Sequence, residues 1–195
     1  MQTTAPVRKP AELPRYFYRL SARAQRVYLR SDAIDRFELI PGTAAFTMLA
    51  ALMYALEGGA PPTVERAAQT LVNELCRLLG VRPVRIEVRG VRPRTSYSEL
   101  HGIFYPHASA RRVVVTVRAI TAAARAGAPL IVLWMRTAQR HDIVKPKTFV
   151  RTLMHELGHY LDYALLRLGD SYHTDGFFKR ESFLVRALFQ TAREP

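Results

Sequence analysis

The sequence predicts an α+β fold, and two observations support this class. Apolar residues recur at helical spacing in the first and last parts of the chain, whereas the part between them alternates apolar and charged residues as short strands do. A chain of 195 residues, 49% of them hydrophobic, can bury one core but not two full domains. We therefore expect one compact unit with a flexible tail over residues 1–13, a helical part over 14–82 and a second part over 83–195.

Three helices are expected before the strands, with boundaries set by proline and glycine. Pro61-Pro62-Thr63 opens the third helix and Gly80 closes it. The uncharged segment Leu39–Leu56 is near the lower limit of a membrane span, but Pro41 and Gly42 favour a buried helix and no membrane contact. The predicted helices are Pro14–Phe37, Thr43–Leu56 and Thr63–Leu79.

Short strands are expected in the middle of the chain. In Val84–Val91 the apolar residues alternate with Arg85, Glu87 and Arg89, which is typical of a half-buried strand with its arginines outward. Further strands are predicted at Leu100–Tyr105, Arg112–Arg118 and Leu130–Met135, and the last of these is the most apolar.

A long helix is expected after the last strand, with Pro146 in its first turn. No proline interrupts Thr148–Leu168, and Gly169 is expected to end the helix. An apolar stripe at helical spacing predicts the buried side of this helix. The stripe consists of Val150, Leu153, Met154, Leu157, Leu161, Ala164, Leu165 and Leu168.

This helix contains the HExxH pattern His155-Glu156-Leu157-Gly158-His159. Two histidines four residues apart lie on one helix face, one turn apart, where their imidazoles can bind Zn²⁺. Glu156 lies beside them and is expected to act as the general base that takes a proton from a zinc-bound water. The sequence therefore predicts a zinc site with a catalytic glutamate.

The HExxH helix resembles that of the zincin metallopeptidases. The resemblance implies a small, twisted, mainly antiparallel sheet packed on the active-site helix, and a zinc ion that hydrolyses peptide bonds. Metzincins extend the motif to HExxHxxGxxH, but this chain has Asp162 and Leu165 at the last two fixed positions, which excludes that subfamily. The third zinc ligand must then come from His173, Glu181 or Asp162.

His173 is the preferred third ligand. The stretch Tyr172–Phe177 resembles the SprT-like metallopeptidases, in which a third histidine precedes a helix and an aromatic residue follows four positions later, here Phe177. The glycine usual after that histidine is Thr174 here, and the sole cysteine, Cys76, excludes a zinc ribbon of the cysteine type.

Glu181 is the alternative third ligand, as the downstream glutamate is in the gluzincins. It lies within an apolar helical face, where an unpaired carboxylate is costly to bury, so zinc or an arginine such as Arg180 or Arg186 must satisfy it. Asp162 is expected to orient a zinc-bound histidine rather than to bind zinc. Tyr172 and Tyr105 are candidate donors to the oxyanion of the reaction, and the Leu100–Tyr105 strand with Gly102 is a candidate edge for an extended peptide substrate.

The net charge of +13 is the second informative feature of the sequence. It favours contact with nucleic acid, but a surface helix in an arginine-rich protein accounts for the same residues. The single cysteine and the absence of an apolar segment in the first ten residues predict a cytoplasmic protein without a signal peptide. The alternative to a peptidase acting on nucleic-acid-associated proteins is a non-proteolytic or DNA-associated protein with a structural zinc.

Overall fold

A computed structural model describes residues 13–93, 100–106 and 128–190. In these residues the chain forms a short 3-10 helix (Arg15–Arg19), five α-helices and three strands, which is the predicted α+β class. The helices are α1 (Ala22–Asp32), α2 (Thr43–Gly58), α3 (Pro61–Leu78), α4 (Pro146–Ala164) and α5 (Asp175–Gln190). The strands are β1 (Arg85–Val91), β2 (Gly102–Tyr105) and β3 (Leu130–Arg136). The expected tail over 1–13 lies almost wholly outside the described residues, as does the expected strand Arg112–Arg118.

The sheet formed by the described strands is mixed and has the order β1-β3-β2. β1 runs parallel to β3, with Ile86 opposite Ile131, whereas β2 runs antiparallel, with Gly102 opposite Leu133. The expectation of a mainly antiparallel sheet is therefore wrong for this part of the chain. β3 has the most apolar sequence of the three because it is the central strand and is buried on both faces.

The two faces of the sheet belong to different hydrophobic clusters. Ile131, Leu133 and Met135 of β3 face the main core, which α2, α3, α4 and α5 share. Leu130, Val132 and Trp134 face the other side, together with Ile103 and Tyr105. Because β2 alternates in the same way, Gly102 and Phe104 lie on the side of α4. One core thus joins the helical part and the second part of the chain.

The prediction of a single helix over Pro14–Phe37 is wrong. Leu20 and Ser21 are extended, with ψ of 150° and 156°, and separate the 3-10 helix from α1. The reason is capping: the hydroxyl of Ser21 accepts a hydrogen bond of 3.3 Å from the backbone N–H of Ala24. The arginines from 15 to 30 are therefore divided between two elements and do not share one helical face.

Helix α4 carries the predicted apolar stripe but ends earlier than predicted. Val150, Leu153 and Leu161 are fully buried, as the stripe requires. The helix ends at Ala164 rather than Leu168, because Arg167 takes a left-handed conformation (φ 52°) and the N–H of Leu168 turns back to the carbonyl of Asp162. Gly169 therefore lies beyond the helix end and does not cause it.

No helix in the described ranges combines the length and apolar character needed to cross a membrane. Leu49, Leu52 and Leu56 of α2 are buried in the core, while Tyr54 on its other side is exposed. The predicted helix from Thr43 is thus confirmed, and it is buried on one side only.

Candidate metal centre

Three histidines converge at one point above α4. The Nε2 atom of His173 lies 3.1 Å from Nε2 of His155 and 3.0 Å from Nε2 of His159. His155 and His159 lie one turn apart on α4, and His173 lies just before α5. The neighbouring residue Thr174 holds His173 in place. The hydroxyl of Thr174 accepts a hydrogen bond from the N–H of Phe177 and caps α5. The structure therefore brings together the three preferred ligands.

The outer nitrogen of His159 is hydrogen-bonded to a serine and, through it, to a carboxylate. Nδ1 of His159 lies 2.7 Å from the hydroxyl of Ser171, which donates to Oδ2 of Asp162, also at 2.7 Å. Because the single hydroxyl hydrogen goes to Asp162, Ser171 accepts the hydrogen of Nδ1. Asp162 thus orients His159, as expected, but through Ser171. Arg180 completes the chain by donating to Oδ1 of Asp162 over 2.8 Å.

The outer nitrogen of His155 contacts Glu181. Nδ1 lies 2.9 Å from Oε2 of Glu181, whose other oxygen accepts a hydrogen bond of 3.0 Å from Arg151. Glu181 is therefore on the side of His155 away from the other two histidines. Among the described residues, the group whose ligand atoms all lie within 4.8 Å contains His155, His159 and His173 but not Glu181. The geometry gives Glu181 the orienting role that the sequence assigned only to Asp162.

These outer contacts determine which ring nitrogens are free to bind a cation. In a neutral imidazole with its hydrogen on Nδ1, the Nε2 atom carries a lone pair. The Nε2 lone pairs of His155 and His159 thus both point at Nε2 of His173. A single hydrogen on that nitrogen can be donated to only one of the two. Tetrahedral zinc with Zn–N bonds of about 2.0–2.1 Å holds its nitrogens roughly 3.3 Å apart, close to the separation here. The donor set and spacing fit a zinc ion.

Glu156 lies beside the histidines in a tight space between α4 and β2. It is 7% exposed, and the backbone of Phe104 hydrogen-bonds to its carboxylate. Gly102 gives it room: a Cβ atom there would lie 2.8 Å from Cγ of Glu156 and 2.9 Å from Cγ2 of Thr152. Burial raises the pKa of Glu156 to about 7, against the opposing effect of His155.

The three histidines differ in their electrostatic surroundings. Burial, followed by the charges of His155 and His173, lowers the pKa of His159 to about 3. Burial also lowers the pKa of His173. Burial acts in the same direction on His155, but its hydrogen bond to Glu181 and the charge of Glu156 outweigh it and raise the pKa. Low pKa values favour the neutral imidazole, which is the form that binds metal.

Two openings meet at Glu156 and His155. One, of about 390 Å³, is bordered by β2 and by apolar and aromatic residues that include Ile103, Phe104 and Tyr163. The other, of about 280 Å³, is polar and includes Thr148, Arg151 and Thr152. The Glu156 carboxylate and the imidazole of His155 are thus reachable from two sides.

The candidate oxyanion donors lie away from these openings. Tyr172 packs against Tyr28, with ring centroids 5.8 Å apart, and lines neither opening. Tyr105 belongs to the cluster on the opposite face of the sheet. Tyr163 borders the larger opening instead, and its hydroxyl donates to Asp170 over 3.2 Å.

The sequence did not predict that Arg151, Ser171 and Arg180 take part in the contacts behind the histidines. Arg151 does carry a signal, because it precedes His155 by one helical turn on α4. Ser171 and Arg180 carry none, since their contacts depend on how α5 returns to α4. Comparisons with protein-family models, with curated proteins and with solved structures give no match.

Proposed function

We propose that this chain is a zinc-dependent metallopeptidase with a zincin-like fold, closest in its motifs to the SprT-like group. The observation that carries the proposal is the convergence of three Nε2 atoms beside a buried glutamate that borders an open cleft. A site that only binds metal has no need of such a carboxylate. A peptidase needs it as a general base.

His155, His159 and His173 would hold the zinc ion. When bound there, zinc lowers the pKa of a water molecule toward roughly 7 and polarises the substrate carbonyl. Glu156 would take the proton of the attacking water and deliver it to the leaving amine. Gly102 and the backbone of Phe104 hold the carboxylate in place for both transfers.

The larger opening supports a peptide rather than a small polar substrate. It runs along β2, which is an edge strand of the sheet that the described strands form. An extended peptide can pair with the backbone of such a strand while its side chains contact Phe104 and Tyr163. We propose that the scissile bond lies at Glu156, between the two openings.

A structural zinc without proteolysis is the competing hypothesis. Structural zinc sites have four protein ligands and no open position. Within the described ranges the cluster offers three histidines, which favours the catalytic alternative.

The experiment compares the wild-type chain with Glu156→Gln in zinc content and in cleavage of casein or a general peptide mixture. Glu156→Gln is expected to keep about one zinc per chain and to lose activity by roughly 10²–10⁴-fold, because a base and not a ligand is removed. Glu57→Gln, at an exposed position of α2, is the matched control and keeps full activity. Loss of zinc in Glu156→Gln, or equal activity in both variants, would contradict the proposal.

We also propose that its substrates are nucleic-acid-associated proteins, on the basis of the +13 charge. Five exposed arginines and two exposed tyrosines, Tyr16 and Tyr18, lie in the first described segment. Arginine and aromatic side chains together favour contact with phosphates and bases. The arginines are Arg15, Arg19, Arg23, Arg26 and Arg30. Binding to a DNA oligomer that weakens steeply with salt would support this substrate class, and no binding at low salt would exclude it.

A further inference from the structure

Arg180 on α5 is fully buried, and its guanidinium joins three parts of the molecule. Nη2 donates to Oδ1 of Asp162 on α4 over 2.8 Å. Nη1 donates to the backbone carbonyls of Ser31 and Ile34, at 2.6 and 2.5 Å, where α1 ends. A buried charged group must be paired by protein atoms, and these contacts pair Nη1 and Nη2, whereas the buried Nε has no hydrogen-bond partner among the described residues. Arg180 therefore links the end of α1 to the metal-binding helix.

The link continues from Asp162 to a metal ligand. Asp162 accepts the hydroxyl hydrogen of Ser171, and Ser171 accepts the Nδ1 hydrogen of His159. Three consecutive hydrogen bonds of 2.8, 2.7 and 2.7 Å thus run from Arg180 to His159. Asp162 accepts from both Arg180 and Ser171, and the Ser171 hydroxyl oxygen is therefore left to accept the hydrogen of His159. The result is that His159 keeps its hydrogen on Nδ1 and directs the Nε2 lone pair at His155 and His173.

The end of α1 is held against α5 so that Arg180 has little freedom to move. Gly176 donates to Asp32 over 3.2 Å, and a Cβ atom at this glycine would lie 2.5 Å from the carbonyl oxygen of Asp32. The rings of Phe37 and Phe177 each lie 5.8 Å from the guanidinium carbon. The guanidinium is therefore positioned by α1 as much as by its own helix.

The contacts that orient His155 are of a different kind. Glu181 contacts it directly, and the arginine behind Glu181, Arg151, has a side chain that is 67% exposed. Exposed ion pairs contribute little because water and salt screen them. The orientation of His159 thus depends on a buried network that reaches the N-terminal helical part, whereas that of His155 depends on the buried Glu181, whose own partner Arg151 is exposed.

We propose that Arg180 is a positioning residue of the metal centre, which fixes the tautomer and orientation of His159 through Asp162 and Ser171 with the end of α1 as its anchor. This inference rests on the proposed zinc site. It also adds a role for α1, since this helix carries no ligand yet supports one. Zinc affinity then depends on contacts with the backbone of Ser31 and Ile34, which lie 124 and 121 residues before His155, the first ligand in the sequence.

The first test measures the tautomer of His159 by NMR of the imidazole nitrogens in the full, metal-free chain. The wild type is expected to show the hydrogen on Nδ1. Ser171→Ala is expected to populate the tautomer with the hydrogen on Nε2, and Arg180→Lys to do so partially, because lysine keeps the charge but lacks the planar fork. Ser182→Ala and Arg186→Met, on the same helix as Arg180, are the matched controls and leave the tautomer unchanged.

The second test measures zinc affinity by competition with a chelator. Ser171→Ala and Asp162→Asn are each expected to weaken zinc binding by roughly 10–100-fold, as substitutions of such outer partners do. The double variant should bind zinc no more weakly than the single variant with the lower affinity, because both substitutions remove the same connection. Arg151→Met is expected to have a smaller effect than Ser171→Ala.

The two tests separate this inference from the proposed function. If the wild type binds zinc but Ser171→Ala and Arg180→Lys match their controls in tautomer and affinity, the positioning role is overturned and the peptidase proposal stands. If the wild type binds no zinc, the peptidase proposal fails together with the affinity half of the inference, whereas the tautomer measurement still decides whether Arg180 acts on His159. Both tests use Arg180→Lys or Ser171→Ala. They therefore do not depend on a variant that removes the positive charge of Arg180 and could fail to fold.

Discussion

Gly102 is the residue on which the position of Glu156, the proposed general base, depends most directly. A methyl group at this position would lie 2.8 Å from Cγ of Glu156, which is closer than two carbons can approach. Gly102→Ala is expected to keep zinc but to lower kcat by at least about tenfold, since small displacements of a catalytic group are costly. Peptide cleavage and zinc content measure the two effects. Gly90→Ala on β1, where the added atom meets nothing within 4 Å, is the control.

A Gly102→Ala variant with unchanged kcat would show that Glu156 can shift without loss, and would argue against a fixed general base at this position.

The choice between His173 and Glu181 can also be tested one residue at a time. His173→Ala is expected to abolish stoichiometric zinc binding as His159→Ala does, because each removes a converging nitrogen. Glu181→Gln is expected to retain about one zinc per chain with affinity lowered roughly tenfold, since it changes only the partner of Nδ1 of His155. Zinc per chain after dialysis distinguishes them. The reverse pattern would make Glu181 the ligand.

The sequence predicted the three histidines and Glu156 because their spacing along one chain segment carries the chemistry. A helix is enough to bring His155 and His159 together, and a turn of the chain back towards that helix is enough to bring His173 close to them. The sequence did not predict Ser171 or Arg180, because their roles arise from contacts between α4, α5 and the end of α1. Such contacts have no fixed spacing in sequence.

At the scale of elements, the contact between the end of α1 and the first turn of α5 is unusually close. Gly176 leaves no space for a Cβ atom next to the carbonyls of Ser31 and Asp32. Gly176→Ala is therefore expected to lower the free energy of unfolding by about 1–3 kcal/mol, although alanine is the better helix former. Gly58→Ala on α2, where nothing lies within 4 Å, should be neutral or slightly stabilising.

Urea unfolding of both glycine variants gives the two free energies. Equal values would mean that α1 and α5 can separate without cost.

The element boundaries show where sequence patterns succeed and where tertiary contacts decide. The bounds of α2 and α3 agree with the prediction to within two residues, because Gly42, Pro61 and Gly80 mark them. The first helix was predicted too long, since the hydroxyl of Ser21 competes for backbone donors. The sheet was predicted mainly antiparallel, but strand order and direction depend on crossovers that alternation alone does not encode.

For the whole molecule, the histidine cluster joins α4 to the segment before α5, so bound zinc should stabilise the fold. The apparent Tm is expected to rise with free zinc, with a stabilisation of about 2.7 kcal/mol when zinc is at a hundred times its Kd. A chelator should return Tm to its metal-free value. Thermal unfolding at several zinc concentrations measures this, and His155→Ala provides the control because its Tm should not respond. A wild-type Tm independent of zinc would contradict the site.

The anchoring of Arg180 against the end of α1 also has a consequence for the order of events during synthesis. On the ribosome, α1 and the HExxH helix emerge well before Arg180 does. Until α5 has been made and has docked, His159 lacks its buried support and His173 lacks the helix that follows it. A growing chain therefore carries two of the three ligands in an unformed site, and stable capture of zinc must wait until the last described helix has left the ribosome. The arrangement of the helices thus prevents the proposed site from loading zinc before the chain is made.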